Sequence, residues 1–302
     1  MSRPPLPRTF VRNVLDVYGQ EAGSAWLTVL PDLLAEAARR WSLTLGEPYP
    51  LTYNYVTRAT RADGSAAVLK LAPPAGELRF EAAALEHFAG TGAVRLLEAD
   101  VAAGALLLER AEPGSLLTAV HERDDDEATR IAATVGLRLH RPAERPFRTV
   151  EDWAVAAFGW LRDRYGGGTG PLPADVVDRA EREHAELVAS SGPPVMLHGD
   201  LHHGNMLTSE RGWLAIDPHG VLGEPAYEAA GLLRNPPGTG TRPDLRTLLD
   251  RRVAVLAEAY GVDRERIRAW GRAHNVVSVL WSHEDGGFVD EETLAVVAAL
   301  AG

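Results

Sequence analysis

Strand-forming runs crowd into residues 53–109 of this 302-residue chain, and helical periodicity fills most of what lies on either side. Tyr53-Asn54-Tyr55-Val56 leads to a turn at Ala62-Asp63-Gly64 and on to Ala66-Ala67-Val68-Leu69-Lys70-Leu71. Asp-Gly between two such runs is a strong hairpin signal, because these residues accept the positive φ of a tight turn. Glu77 to Phe88 reads as an amphipathic helix, and two short strands fall near Val94–Glu98 and Ala105–Glu109. The chain up to about residue 45 reads as helical. Leu27, Leu30, Leu33, Leu34, Ala37 and Ala38 recur there at spacings of three and four, and Pro31 is suited to open a helix. From Pro113-Gly114, read as a turn, helices dominate: around Ala128–Leu139, Val150–Tyr165 and Asp175–Ala189. Strands return at Val195–Leu197, Met206–Leu207 and Trp213–Ile216 before further helices complete the chain. The pattern predicts an α+β protein with a small N-terminal antiparallel sheet lobe, residues 1–111, including a helical extension. A larger, mainly helical C-terminal lobe follows at 112–302. Gly166–Pro173 and Asn235–Pro243 are too short for interdomain linkers and read as surface loops.

The 31 basic and 42 acidic side chains leave a net charge of −11, which disfavours a nucleic-acid partner. An acidic cleft concentrates cations, so the charge is compatible with a cationic small molecule, although solubility is the simpler explanation. The absence of cysteine excludes disulfides, zinc–thiolate sites and cysteine nucleophiles. No apolar run approaches the roughly 18–20 residues that span a bilayer, and the N-terminal stretch lacks the apolar core of a signal peptide. The expectation is a cytoplasmic enzyme without a membrane partner, a monomer or weak dimer.

The chemistry concentrates in His198-Gly199-Asp200-Leu201-His202-His203-Gly204-Asn205. Short apolar runs flank this stretch, so it reads as a loop held at both ends by strands. Downstream, Trp213-Leu214-Ala215-Ile216 delivers Asp217-Pro218. Two carboxylates and a carboxamide thus meet at the ends of neighbouring strands. Phosphoryl transfer needs such a set: one acid orients the attacking hydroxyl and takes its proton, and oxygen ligands hold Mg²⁺ on the phosphates. A turn in which Asp200 and Asn205 make only backbone bonds is the competing reading. His198, His202 and His203 do not read as a zinc site, since the loop breaks any helical face and no H-E-x-x-H acid is in place.

H-G-D-L-H-H-G-N followed by I-D-P resembles the catalytic and metal-binding loops of the aminoglycoside phosphotransferase family, relatives of the protein kinases. The streptomycin 6-phosphotransferase and hydroxyurea phosphotransferase branch is the most similar. V-L-K-L (68–71), L-L-L-E-R-A-E-P-G (106–114), W-L-A-I-D-P (213–218) and G-E-P-A-Y-E (223–228) also match it. The resemblance runs from about residue 50 to the C-terminus and implies a bilobal protein-kinase-like fold that uses ATP and Mg²⁺. It implies Asp200 as catalytic base, Asn205 and Asp217 as Mg²⁺ ligands, and His198 as the support of the loop. Near Glu109 and Ala111 it implies backbone contacts to the adenine edge.

The strand and helix upstream test this resemblance. On Ala66–Leu71, Val68 and Lys70 share a face opposite Ala67, Leu69 and Leu71. On the following helix Leu78, Ala82, Leu85 and Phe88 form an apolar stripe with Glu81 at its centre. A carboxylate there needs a partner, and Lys70 is the candidate; the alternative is two long side chains reaching water independently. In kinases such a lysine–glutamate pair holds the ATP phosphates. One departure stands out: Leu51–Ala66, where a phosphate-covering hairpin belongs, has no G-x-G-x-x-G. Thr52 and Asn54 are the possible phosphate contacts, and a core role for Tyr53 and Tyr55 competes with that.

A polycationic acceptor calls for further carboxylates, and Glu228, Glu284 and Asp285 are the candidates, the last two following Trp281 as a further acceptor-side residue; for Glu228, as for Glu224, bracing the catalytic core is the favoured alternative. Asp290-Glu291-Glu292 and Asp124–Glu127 are explained as acids at helix starts. The function expected is a kinase moving the ATP γ-phosphate to a hydroxyl of an aminoglycoside such as streptomycin, an antibiotic-resistance activity. The alternatives are another small acceptor, including hydroxyurea, or a nucleotide-binding scaffold without catalysis.

Overall fold

The computed structural model describes residues 6–73, 77–143 and 147–302. The first five residues, part of the stretch read above for a signal segment, lie outside them. The chain divides into two compact units, Met1–Gly90 with Val94–Ala111, and Thr91–Ala93 with Glu112–Gly302.

The first unit opens with α1 (Arg8–Tyr18) and α2 (Gln20–Arg40). Strands β1 (Thr44–Pro48), β2 (Tyr55–Thr60) and β3 (Ala66–Leu71) follow, then α3 (Leu78–Phe88), β4 (Leu96–Asp100) and β5 (Ala105–Glu109). The strands form one antiparallel sheet in the order β1-β2-β3-β5-β4. Phe10, Val14, Trp26, Leu30 and Leu34 pack with Tyr55, Leu69, Leu71 and Leu107 into a single apolar cluster. The helical pair therefore covers one sheet face and takes up the odd-numbered residues of β3. Lys70, on the other face, is 4% exposed.

Two expectations change in this unit. Pro31 lies inside α2 rather than at its start. The stripe Trp26, Leu30, Leu34 and Ala37 runs through it, and the burial of that stripe outweighs the lost hydrogen bond. The helical stretch also ends earlier than expected, because β1 begins at Thr44 and pairs with β2. Its Thr-Leu-Gly-Glu-Pro sequence carries no alternation, which is why pattern alone passes over it. Of the two tyrosines, Tyr55 is core at 3% exposure, whereas Tyr53 is exposed.

The second unit contains β6 (Pro113–Leu116), α4 (Thr118–His121), α5 (Asp125–Leu139), α6 (Val150–Arg164) and α7 (Ala174–Ala189). Then come β7 (Val195–Leu197), β8 (Met206–Ser209), β9 (Gly212–Ala215) and β10 (Val221–Gly223). Four helices complete it: α8 (Ala229–Arg234), α9 (Leu245–Tyr260), α10 (Arg264–Gly286) and α11 (Glu291–Leu300). Pro113-Gly114 belongs to a strand and not to a free turn, since β6 pairs with β8 in a small sheet ordered β6-β8-β9. Separately, β7 pairs with β10. Strands of three or four residues have too little periodicity to read from sequence.

Three helix starts in this unit are capped by side chains. Asp124 accepts the Glu127 N–H, Thr149 and Asp152 form a reciprocal capping box, and Asp290 accepts the Thr293 N–H. Glu292 accepts the N–H of Gly238, which ties the Asn235–Pro243 loop down. Arg252, fully buried, donates to both oxygens of Asp125 and to the carbonyls of Leu232 and Asn235. It thereby pins the end of α8 to α5 and α9.

Candidate active site

The loop after β7 is built from backbone constraints. Gly199 has φ +88°, and a Cβ there would lie 2.7 Å from the Trp153 ring, so only glycine fits. His198 is fully buried, and burial presses its pKa down to about 4, so the ring is neutral. Its Nδ1 accepts the N–H of Asp200 at 3.2 Å, which leaves the proton on Nε2 to donate to the Ile216 carbonyl at 2.8 Å. The His198 carbonyl in turn accepts the N–H groups of His219 and Gly220. One side chain and its own backbone thus fasten Asp200 to the segment that carries Asp217.

Asn205 closes the loop in a short 3₁₀ turn, His203–Asn205. Its Nδ2 donates to the Asp200 carbonyl at 2.9 Å and reaches Asp200 Oδ2 at 3.3 Å. Both partners are acceptors, so the amide orientation is determined, and Oδ1 keeps no protein partner among the described residues. The Asn205 carbonyl accepts the N–H of Ile216 at 2.9 Å, the residue before Asp217. Asp217 is exposed and holds φ +62°, a left-handed conformation that aspartate tolerates better than most residues. The free carboxamide oxygen and the exposed carboxylate are hard oxygen donors, a set that suits Mg²⁺.

Asp200 has a side chain 27% exposed. Burial pushes its pKa up, but the His202 hydrogen bond and the charges of His202, His219 and Arg234 outweigh that and hold it well below the usual carboxylate range. His202 Nε2 lies 3.4 Å from Oδ2 and Arg234 Nη2 lies 3.5 Å from Oδ1.

Glu228, a candidate acceptor-side acid for which bracing the catalytic core was the favoured alternative, takes the bracing role. It is 3% exposed, and its two oxygens accept the N–H groups of His198 at 3.1 Å and Gly199 at 2.9 Å. It braces the loop from beneath. Burial raises its pKa to about 7 despite those two hydrogen bonds, and His140, 4.0 Å away, is itself pressed to about 4 and offers no counter-charge. Glu224 is equally committed, to Arg266, Ser191 and Trp270.

The histidines of the loop serve different ends. His203 is buried and packs its ring 5.0 Å from that of His121. His121, Asp125 and His203 bring possible ligand atoms within 4.8 Å of one another. Arg252 already engages both Asp125 oxygens, so a metal ion would sit against a buried guanidinium. The group reads as an ion-paired brace.

In the first unit Lys70 Nζ donates to Glu81 Oε2 at 2.6 Å, and both side chains are buried. The stripe-centred carboxylate does have its partner. Glu109 ends β5, donates its N–H to the Arg95 carbonyl and accepts the Arg95 N–H on its side chain; Ala111 follows at the end of the unit.

Of the residues expected to face the acceptor, Trp281 packs edge-on against Trp153, with ring centres 5.4 Å apart, and Trp153 lies 6.0 Å from the His219 ring. One turn beyond Trp281, Glu284 and Asp285 are exposed, with no hydrogen-bond or ion-pair partner among the described residues. Burial pushes both carboxyls above their ordinary pKa, and for Glu284 the Asp285 charge adds to it. Sequence reasoning passed over Trp153, His219 and Arg234. A tryptophan or arginine at a helical position carries no signal of the loop it will face.

A family description, "Aminoglycoside/hydroxyurea antibiotic resistance kinase", matches residues 40–286. A streptomycin 6-kinase from Streptomyces glaucescens is 33% identical over 302 residues, covering 98% of this chain and 97% of its own. A hydroxyurea phosphotransferase from Kitasatospora aureofaciens is 35% identical, covering 94% of this chain and 83% of its own. Among solved structures, a thermostable aminoglycoside phosphotransferase mutant in complex with ADP and hygromycin B superposes with a TM-score of 0.62 at 14% identity, over 89% of this chain and 98% of that one. The fold is protein-kinase-like, as the loop motifs implied. The chain belongs to the aminoglycoside/hydroxyurea antibiotic resistance kinase family and is a phosphotransferase.

Proposed function

We propose that this phosphotransferase moves the γ-phosphoryl group of ATP to a hydroxyl of a cationic small molecule of the streptomycin type. Asp200 is the base that receives the hydroxyl proton. Asn205 and Asp217 hold Mg²⁺, which neutralises charge on the donor phosphates. Lys70, oriented by Glu81, binds those phosphates, and the backbone near Glu109 and Ala111 takes the adenine edge. The observation that carries the reading is the Asn205 carboxamide: its nitrogen is spent on Asp200 while its oxygen remains free.

The acceptor class rests on the two uncompensated carboxylates Glu284 and Asp285, which follow the tryptophan pair Trp153–Trp281. Aromatic faces and acids together favour a guanidinium or ammonium group. Streptomycin 6-kinase and hydroxyurea phosphotransferase are comparably similar by identity, so hydroxyurea is the second reading. A coupled assay of ADP release over a panel of streptomycin, other aminoglycosides and hydroxyurea tests the proposal. Turnover confined to a neutral acceptor would sink the cationic class, and no ADP release with any acceptor would sink the kinase reading.

A further inference from the structure

Arg234 is the last residue of α8, and its side chain is 20% exposed. Among the described residues its buried Nε has no hydrogen-bond partner, and its one ion pair is the 3.5 Å approach of Nη2 to Asp200 Oδ1. Three other enclosed arginines of this unit behave differently. Arg252 donates to Asp125 and two carbonyls, Arg272 to Glu183, Glu265 and the Leu300 carbonyl, and Arg266 to Glu224, most of these at 2.6–3.2 Å. Leaving a guanidinium's donors unspent in a mostly enclosed position costs free energy. An arginine kept that way beside a reacting carboxylate is suited to an anion that comes and goes.

We propose that Arg234 binds a non-bridging oxygen of the phosphoryl group during transfer, an inference that rests on the phosphotransfer reading above. As the acceptor oxygen bonds to phosphorus, its proton passes to Asp200. The bond from that phosphorus to the β–γ bridging oxygen breaks, and the electron pair leaves with ADP. Arg234 exchanges no proton and meets the charge carried by the equatorial oxygens. The reach is adequate. A hydroxyl about 3 Å from Asp200 places the attacked phosphorus about 3–3.5 Å further on. The phosphoryl oxygens then fall within roughly 7 Å of the carboxylate, and the Arg234 fork already stands at its edge. An arginine serving only to pair with Asp200 would be drawn into hydrogen-bonding distance, as the other three are with their carboxylates.

The test is calorimetric binding of Mg·ADP with and without aluminium fluoride, which mimics the phosphoryl group in flight, to wild type, Arg234→Met and Arg234→Lys. The expected result is Mg·ADP affinity within about threefold of wild type in both variants. The tightening produced by aluminium fluoride should fall at least about 30-fold in Arg234→Met and be partly restored in Arg234→Lys, with kcat falling by about 10³-fold. An Arg234→Met protein that keeps the full tightening overturns the assignment and leaves the phosphotransfer reading standing. Loss of Mg·ADP binding together with a lowered Tm in both variants also overturns it, in favour of a structural role. A wild-type protein that binds no Mg·ADP sinks the phosphotransfer reading itself, and this assignment with it.

Discussion

Asn205 holds Asp200 twice, through its Nδ2 to the backbone carbonyl at 2.9 Å and to the carboxylate at 3.3 Å. The amide that positions the proposed base therefore also fixes where its own free oxygen stands. Asp200→Ala should lower kcat by about 10²–10⁴-fold with little change in KM for ATP. Asn205→Ala should instead raise the Mg²⁺ concentration needed for half-maximal rate by about 10–100-fold. ADP release measured across a magnesium series separates the two effects.

Glu228 is the support beneath this arrangement. Glu228→Ala would leave the His198 and Gly199 N–H groups buried without acceptors, at a cost of roughly 2–6 kcal/mol. Glu228→Gln keeps the shape but offers one acceptor oxygen and turns an NH₂ group on the other donor. Urea denaturation should show Glu228→Ala as the less stable variant, and both should lose kcat more than they gain in KM for the acceptor.

The Lys70–Glu81 pair is buried on both sides, so each single removal strands a charge. Lys70→Met and Glu81→Leu should each cost about 3–5 kcal/mol, and the double variant should cost clearly less than their sum. Unfolding midpoints of the four proteins give the coupling energy; strict additivity would mean that the two groups do not depend on each other.

Acid should destabilise this protein through its buried histidines. Burial depresses His140, His184 and His198 to about 4, and His203 and His274 to about 3. A depressed histidine binds fewer protons folded than unfolded, so stability falls as pH drops from about 6.5 toward 4. Glu228, raised to about 7, acts in the opposite sense and loses stability as pH rises from about 4.5 through 7. Five groups outweigh one, so Tm should fall by several degrees between pH 6.5 and 4.5. A flat Tm over that range would contradict the burial of these rings.

If the acceptor is cationic, Glu284→Gln combined with Asp285→Asn should raise its KM by about tenfold while leaving kcat within twofold. The KM of the wild type should also rise with salt, since exposed charges are screened. Initial rates at two ionic strengths check both.

The chain alone determined the elements with strong local signals. The Asp63-Gly64 hairpin brackets β3, and the apolar stripe of α3 with Glu81 at its centre already called for Lys70. The ordered residues Asp200, Asn205 and Asp217 left a structural turn open when taken alone, and it was their resemblance to the family's loops that pointed to phosphotransfer. Tertiary structure decided what depends on partners remote in sequence. Glu228 could be read from its motif as a brace of the core or as an acceptor-side acid, and its burial against two N–H groups about thirty residues away shows the brace. Pro31 reads as a helix start until the sheet supplies enough apolar contact to carry α2 through it. Arg234 has no local signature, and its place beside Asp200 follows from how α8 is pinned by Arg252. Burial and unspent hydrogen-bond donors are properties of packing, so no window of sequence contains them.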